Sequence, residues 1–315
     1  ANNTLGSLAH RRNDFATAQA FFLKSLTLKQ RALDALPDNV LAITDLASTY
    51  SWLASTALSM GDAQASIEYL DLEQTTFKRL ASFEHQNAQA DFEQALSYYR
   101  QALLLRYQQD YGVAQDKVAK STQILRGLVQ SDPENTLWQI TAQRVQLLQL
   151  MIEANVNPAG QARQLTDSQL DRSEKFVLAM LDETEASANQ ALLTLLLELN
   201  ETTQALGQWS RSAGLQRILD QQLDRSTTEG DGSLQLLHVN RWLSAAALSH
   251  QSGDREQSQI FCRRALVAIT PLSKLSSSPE FLVPHAKVLD CLEPLQTNHP
   301  LNQRLAQLGI PPVSF

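Results

Sequence analysis

The chain has few of the residues that interrupt helices. It contains 11 glycines and 10 prolines among 315 residues, whereas Ala, Leu and Gln are abundant. This composition is typical of helical proteins, so the sequence predicts an all-α fold without strands. The sequence also lacks any run of about 18 apolar residues, the length that a membrane-spanning helix needs, so no membrane insertion of this region is expected.

The chain also has few cysteines and no excess of basic residues. The two cysteines, Cys262 and Cys291, fit no metal-binding spacing. A disulfide between them is conceivable, but in a chain of this length two buried thiols are the favoured interpretation. The formal net charge is −7, which argues against direct nucleic-acid binding because that function requires a basic patch.

Catalytic motifs are absent as well. The six histidines are scattered and none forms an HExxH pair, and neither a phosphate-binding loop nor a Gly-x-Ser-x-Gly elbow occurs. The pairs Arg11-Arg12 and Arg263-Arg264 could bind an acidic group, but solvated helix ends are the better explanation. The sequence therefore predicts no enzyme, no metal site and no cofactor.

What the sequence does contain is an internal repeat of 48 residues. Three sets recur at this spacing: Asp14, Asp62 and Asp110; Asn39, Asn87 and Asn135; and the small residues Ala18, Ser66, Ala114 and Ala162. A fixed period of this size indicates a tandem array of one supersecondary unit. We interpret each aspartate as a helix N-cap rather than as part of a carboxylate cluster, since a carboxylate there accepts backbone N–H bonds.

Residues 38–83 indicate what one repeat contains. After Asn39, apolar and small residues recur every three or four positions as far as Ala57, which describes one face of an α-helix. Gly61 suits the position after a helix C-terminus, and Asp62 caps a second helix. Because the connection is short, the two helices are expected to be antiparallel.

These residues resemble the tetratricopeptide repeat, which has small and aromatic residues at set offsets. The resemblance is carried by Leu5, Gly6, Phe15, Ala18 and Phe22 in the first repeat, and later by Trp242, Ala246, Gly253, Ser258, Ala265 and Leu266. The family period is about 34 residues, so the longer period here implies helices of about 20 residues, some 30 Å long. Long-helix repeats of this kind resemble those of bacterial signalling proteins such as Ser/Thr kinases and winged-helix transcription regulators.

The resemblance implies a right-handed superhelix (solenoid) of about six antiparallel hairpins with C-terminal capping helices. We expect long-helix repeats over 1–225, a loop over 226–233, and a further hairpin with its cap over 234–315, in one continuous array. Asn157 and Pro158 are expected to begin a helix. Because the sequence opens inside a predicted helix, we interpret it as a fragment that lacks its upstream part.

The family lines its concave face with the first helix of each hairpin, and the register then implies which side chains face inward. The candidate partner-binding residues are Tyr99, Leu103, Arg106, Tyr107, Arg144, Asn240 and His250. Ser51, Ser55 and Ser59 occupy the inward positions of the second repeat. Tyr and Arg are frequent at binding hot spots, although Tyr99 and Tyr107 could equally pack between the long helices.

From these observations we predict a non-catalytic protein–protein interaction or sensor module of a larger bacterial signalling or regulatory protein. A groove with Tyr and Arg side chains suits a peptide that carries an acidic group or a C-terminal carboxylate. The alternative is a sensor of a small molecule or peptide, with a pocket between the long helices. The cytoplasm is favoured over the periplasmic part of a membrane-anchored protein, and the oligomeric state is left open.

Overall fold

The structure, a computed structural model, describes residues 2–81, 87–156, 163–183, 190–224, 232–296 and 298–315. Within these ranges the chain forms fourteen α-helices and no strand, which confirms the predicted all-α class. Among the described helices, none has the length and apolar content required to cross a membrane.

The helix boundaries agree closely with the sequence pattern. In chain order the helices are α1 (Asn2–Arg11), α2 (Phe15–Ala35), α3 (Val40–Ser59), α4 (Ala63–Ala81), α5 (Ala88–Tyr107), α6 (Tyr111–Ser131), α7 (Thr136–Val156), α8 (Arg163–Glu183), α9 (Gln190–Ala205), α10 (Trp209–Leu223), α11 (Gly232–Gln251), α12 (Arg255–Leu275), α13 (Pro279–Leu292) and α14 (Pro300–Gln307). Helices α2, α3 and α5 contain 21, 20 and 20 residues, close to the predicted length of about 20.

The recurring aspartates cap the second helix of each of the first three hairpins, as predicted. One side-chain oxygen of Asp14 accepts a hydrogen bond from the backbone N of Thr17 at 3.2 Å. Asp62 and Asp110 make the same contact three residues ahead, at 2.9 and 3.3 Å. Each bond satisfies a backbone donor that the helix leaves open at its start, and the carboxylate also complements the helix dipole.

The recurring asparagines cap the first helix of the hairpins that follow. Asn39, Asn87 and Asn135 each accept a bond from the backbone N three residues ahead, at 3.1, 3.0 and 3.2 Å. In the second and third repeats the two caps are therefore chemically distinct, with Asn before the first helix and Asp before the second. Both start signals were readable in the sequence because capping is local.

The residue before each aspartate has a left-handed backbone. Its φ is 60° at Asn13, 88° at Gly61 and 64° at Gln109, and these positions share the 48-residue spacing. Glycine adopts this conformation without a steric penalty and asparagine tolerates it, whereas in glutamine it costs conformational free energy. The geometry of the turn is therefore kept in all three repeats even where the residue is unfavourable.

Small residues mark the closest helix contacts. Ala18 and Ala114 are 0% exposed and Ser66 is 2% exposed, while the fourth member of the series, Ala162, lies outside the described residues. In the first hairpin, a Cβ added at Gly6 would lie 2.6 Å from the Phe22 ring. The aromatic ring thus fills the space that the missing side chain leaves, which is the close packing expected of a helix pair.

The described chain divides into two compact units. Unit 1 comprises residues 1–138 together with 275–279 and 303–311, and unit 2 comprises 139–274 together with 280–302 and 312–315. Two C-terminal segments therefore belong with the N-terminal helices. In unit 1 the backbone N of Ser277 donates to the Ser59 carbonyl at 2.8 Å, and Gln108 Nε2 donates to the Leu308 carbonyl at 2.7 Å.

Unit 2 has a leucine-rich core. It includes a run on α9 in which Leu192, Leu193, Leu195, Leu196 and Leu197 are all nearly inaccessible. They pack with leucines of α10 such as Leu215 and Leu219. A helix that is apolar nearly all round must be surrounded by other elements, and α9 is the central helix of this core.

The expectation that Cys262 and Cys291 are separate thiols was wrong, because the structure joins them in a disulfide. Cys262 is buried on α12 and Cys291 lies near the end of α13. Residues 276–278 separate these two helices, and α13 begins at Pro279. Sequence spacing alone does not reveal that the two helices bring the sulfurs together.

Two other expectations concern parts of the chain without a description. Most of the predicted 226–233 loop lies outside the described residues, and α11 begins at Gly232. The predicted helix start at Asn157 and Pro158 also lies outside them.

We expect Ala114→Leu to lower the free energy of unfolding by about 1–3 kcal/mol, because a larger side chain at a fully buried contact forces the helices apart. Ala119→Leu is the matched control, since Ala119 is exposed on the same helix, and we expect it to stay within about 0.5 kcal/mol of the parent protein. Urea denaturation of the three proteins measures both effects. Equal stability of all three would show that the small-residue contact is incorrectly assigned.

Candidate functional site

Polar side chains join the first helices of the first three hairpins, α1, α3 and α5. The Asn3 amide donates to Thr49 Oγ1 at 3.2 Å, which connects α1 to α3. Arg100 Nη1 donates to Ser51 Oγ at 2.9 Å, which connects α5 to α3. These helices therefore present polar groups along their contacts rather than a purely apolar seam, and the inward positions predicted from the repeat register are among them.

Arg106 and Tyr107 form the most distinctive pair on α5. The Arg106 guanidinium carbon lies 4.7 Å from the centre of the Tyr107 ring, in a cation–π contact, and both side chains are half-buried. The Nε of Arg106 is buried and has no hydrogen-bond partner among the described residues. An arginine held flat on a ring with an unused donor can accept a carboxylate with little loss of side-chain freedom.

Tyr99 does not share that exposure. It is only 6% exposed. Its side chain therefore packs between the long helices, which is the alternative to partner binding, and offers almost no surface to a partner. Leu103 is half-buried on the same helix. The helical spacing of Tyr99, Leu103, Arg106 and Tyr107 placed them on one face, but spacing does not tell which part of that face the neighbouring helices cover.

Arg144 belongs to unit 2 and is already engaged. Its Nε lies 3.1 and 3.0 Å from the two carboxylate oxygens of Glu198, and its Nη2 lies 2.7 Å from one of them. A partner that uses Arg144 would have to break this bidentate pair, which joins α7 to α9. The repeat register predicts Arg144 as a binding residue together with the tyrosines of α5. Nothing in the sequence indicates that Glu198, which lies on another helix, pairs with it.

The two remaining candidates lie on α11. Asn240 is half-buried and His250 is exposed near the end of the helix. The ring of Phe315 meets the His250 ring edge-on, with 6.0 Å between the ring centres. The backbone N of Phe315 also donates to Asp290 Oδ2 at 2.9 Å. His250 thus contacts a residue that the chain itself supplies.

A buried acid that the sequence analysis missed lies beside the inward positions. Glu73 is 1% exposed, and its Oε2 has no hydrogen-bond partner among the described residues. Burial raises the pKa of Glu73 from 4.5 to about 7, against the opposing effects of the Arg100 charge and of hydrogen bonds from Ser97 and Ser51. The carboxyl group is therefore poised between its neutral and ionised forms near neutral pH.

The sequence did carry a signal for Glu73. It interrupts the buried stripe of α4 that runs through Ser66, Leu70, Phe77 and Leu80, at spacings of three and four residues. A carboxylate in such a stripe is costly unless it is paired or neutral. The three- and four-residue spacing of α4 indicates a packed face, and spacing alone does not distinguish the acid at position 73 from its apolar neighbours.

Next to Glu73 runs a chain of amides that has a structural role. Gln74 Nε2 donates to Gln101 Oε1 at 3.0 Å, and Gln101 Nε2 donates to Asp71 Oδ1 at 2.8 Å. Lys117 lies 3.4 Å from the same Asp71 oxygen. The buried Gln74 and Gln101 amides are thereby paired with each other and with the exposed Asp71, and the chain fixes the register of α4 against α5.

Unit 2 contains a comparable network within its leucine core. Asn200 is fully buried and its amide donates to Gln216 and to Ser244, each at 2.9 Å. Ser212 Oγ donates to the side-chain oxygen of Asn200, Oδ1, at 2.6 Å. The network joins α9, α10 and α11, and because Asn200 uses both ends of its amide we assign it to fold specificity.

No group of three or more His, Cys, Asp or Glu side chains suited to a metal ion occurs in the part of the chain that the structure describes. Comparison with known proteins gives no identification: no protein-family model matches the chain, and no curated protein matches it. The arguments about function therefore rest on the residues themselves.

We expect Glu73→Gln to raise the free energy of unfolding by about 1–3 kcal/mol above pH 7 and to leave it nearly unchanged in acid. The folded-state pKa of Glu73 is raised from 4.5 to about 7, so the fold favours the protonated acid. Wild-type stability should therefore decline as the pH rises from the lower to the higher value, and the amide removes that decline.

Denaturation at a series of pH values tests this expectation. Glu93→Gln is the matched control, since Glu93 is a half-buried acid on α5 that faces Glu73, and this variant should keep most of the pH dependence. A wild-type protein and a Glu73→Gln variant with parallel stability profiles would contradict the prediction.

Proposed function

We propose that this chain is a non-catalytic interaction module of long helix hairpins that resemble the tetratricopeptide repeat. In this proposal it binds a protein or peptide partner through the inward positions of α3 and α5 in unit 1. The 48-residue period, the two caps of each repeat and the small-residue contacts support the repeat interpretation. The right-handed superhelix and the number of about six hairpins belong to the same proposal.

The observation that carries the binding proposal is the state of Arg106. Its guanidinium rests on Tyr107, it is half-buried, and its Nε lacks an acceptor among the described residues. A buried donor without a partner is costly, and because Nε itself is inaccessible, a ligand carboxylate would bind the Nη groups of the same guanidinium. The proposed partner is therefore a peptide with an acidic side chain or a free C-terminal carboxylate, for which Tyr107 and Leu103 provide apolar contact area.

A sensor of a small ligand remains the second candidate. Glu73 favours it, because a buried carboxyl group with an unused oxygen between long helices is the kind of polar feature that ligand sites contain. In either case the resemblance to the repeats of bacterial signalling proteins supports a regulatory role, as part of a larger protein.

The disulfide changes the proposed setting. Disulfides persist in oxidising compartments and are rare in the cytosol. Since Cys262 and Cys291 are joined, we now propose that the chain works outside the cytoplasm, in place of the cytoplasmic location that the sequence favoured.

We expect Arg106→Ala to weaken binding of a carboxylate-bearing peptide by about 5–30-fold, the effect of losing about 1–2 kcal/mol at a hot spot. A peptide array in which each sequence has either a free C-terminal carboxylate or an amide would identify ligands of the wild-type protein. Fluorescence anisotropy then compares the variants. Arg126→Ala is the matched control, since Arg126 is an exposed arginine on α6 in the same unit.

The thermal midpoint of Arg106→Ala should stay close to that of the wild-type protein, which separates lost binding from lost folding. Arg106→Lys keeps the charge but not the planar fork, and should recover only part of the affinity. If Arg106→Ala and Arg126→Ala bind the same peptides as tightly as the wild-type protein does, the proposed function is wrong.

A further inference from the structure

We propose that Arg100 and Ser51 form a carboxylate-binding subsite between α5 and α3, and that the buried Glu73 competes with the bound carboxylate for Arg100. The inference rests on the proposed function, because it names a second anchor for the same class of partner and a control over it. Ser51 is one of the inward positions predicted from the repeat register, whereas Arg100 and Glu73 are not among the predicted binding residues.

Arg100 supplies the anchor. Its side chain is exposed and its only described hydrogen bond runs from Nη1 to Ser51 Oγ, at 2.9 Å. A guanidinium has five N–H donors in a planar fork, so several donors of Arg100 stay available to an incoming carboxylate. Ser51 is half-buried and holds the guanidinium against α3, which reduces the freedom that binding would otherwise have to remove.

Glu73 is buried next to the same serine. Ser51 accepts a hydrogen bond from Arg100, and its hydroxyl lies close enough to Glu73 to lower the pKa of that carboxyl group, so the serine lies between the exposed cation and the buried acid. None of the ion pairs within the described residues involves Glu73, and its Oε2 has no hydrogen-bond partner there. This arrangement suits a neutral Glu73 and leaves Arg100 free to face a ligand.

Ionisation of Glu73 would change that balance. A buried carboxylate without a partner is unstable, and Arg100 is the cation whose charge acts on Glu73. The charged groups that face Glu73 are Arg100 and Glu93, both from α5, while Ser51 of α3 and Ser97 of α5 are uncharged. Since Glu93 repels the new charge, Arg100 is the one of these two groups that can compensate it.

The ligand carboxylate and the ionised Glu73 therefore compete for a single guanidinium. Binding above the pKa of Glu73, which is about 7, must be accompanied by uptake of one proton. Affinity should then fall by up to about tenfold for each pH unit above that pKa. Below it, affinity should be independent of pH as long as the ligand stays ionised.

The test uses acetate as a minimal carboxylate probe, exchanged for chloride at constant ionic strength. The readout is the NMR signal of the Arg100 Nε–Hε group in the full chain. In the wild-type protein we expect acetate to shift this signal roughly one pH unit below the pKa of Glu73 and much less one unit above it. In Glu73→Gln the response should be equal at both pH values, because the amide cannot compete.

Arg100→Gln and Arg126→Gln complete the set. The first should abolish the effect of acetate on the neighbouring Ser51 amide signal, and the second should leave it unchanged. A wild-type response that is the same at both pH values, or an acetate effect at Ser51 that survives Arg100→Gln, would overturn the inference.

A second measurement needs no variant. The ¹³C signal of the Glu73 carboxyl group reports its apparent pKa directly, and acetate should raise that pKa because it occupies Arg100. An unchanged pKa would contradict the competition. This experiment does not depend on Arg106, so failure here leaves the proposed function standing, whereas loss of carboxylate-dependent peptide binding at Arg106 leaves the Glu73 titration unaffected.

Discussion

The turn that closes each hairpin is the constraint on which the rest of the structure depends. A left-handed residue at positions 13, 61 and 109 is followed by a capping aspartate, so one helix ends and the next begins within a few residues. So short a connection forces the helices to run antiparallel and side by side. The small residue four positions after each aspartate, such as Ala114, then lies where the pair must approach most closely.

Sequence reasoning recovered the features that are local. The caps, the helix boundaries and the buried small residues all follow from interactions within a few residues, and the 48-residue period amplifies each signal. Contacts between distant parts of the chain leave no periodic trace. The bond from Gln108 to Leu308 and the disulfide between Cys262 and Cys291 are of this kind. The same limitation concealed the covering of Tyr99 by its neighbours.

The polar groups of unit 1 give the proposed binding surface its physical character. Arg106 on Tyr107 and Arg100 on Ser51 are two guanidiniums held in place by their own contacts, and arginines prepared in this way suit carboxylates. Glu73 is buried, and the Arg100 charge acts on it, so the acid makes this part of unit 1 a source of instability at neutral pH. A buried acid in a helical stripe lowers the free energy of unfolding, and its retention is understandable if it regulates the surface next to it.

The central claim, that one turn geometry organises each repeat, is tested most directly by replacing the residue that fits it worst. Gln109 has a φ of 64°, so Gln109→Gly should raise the free energy of unfolding by about 0.5–1.5 kcal/mol despite the flexibility that glycine adds. At Gln115, exposed inside α6, the same replacement should lower it by about 1 kcal/mol. Urea denaturation of both variants measures the contrast. Destabilisation by Gln109→Gly as large as that by Gln115→Gly would contradict the account.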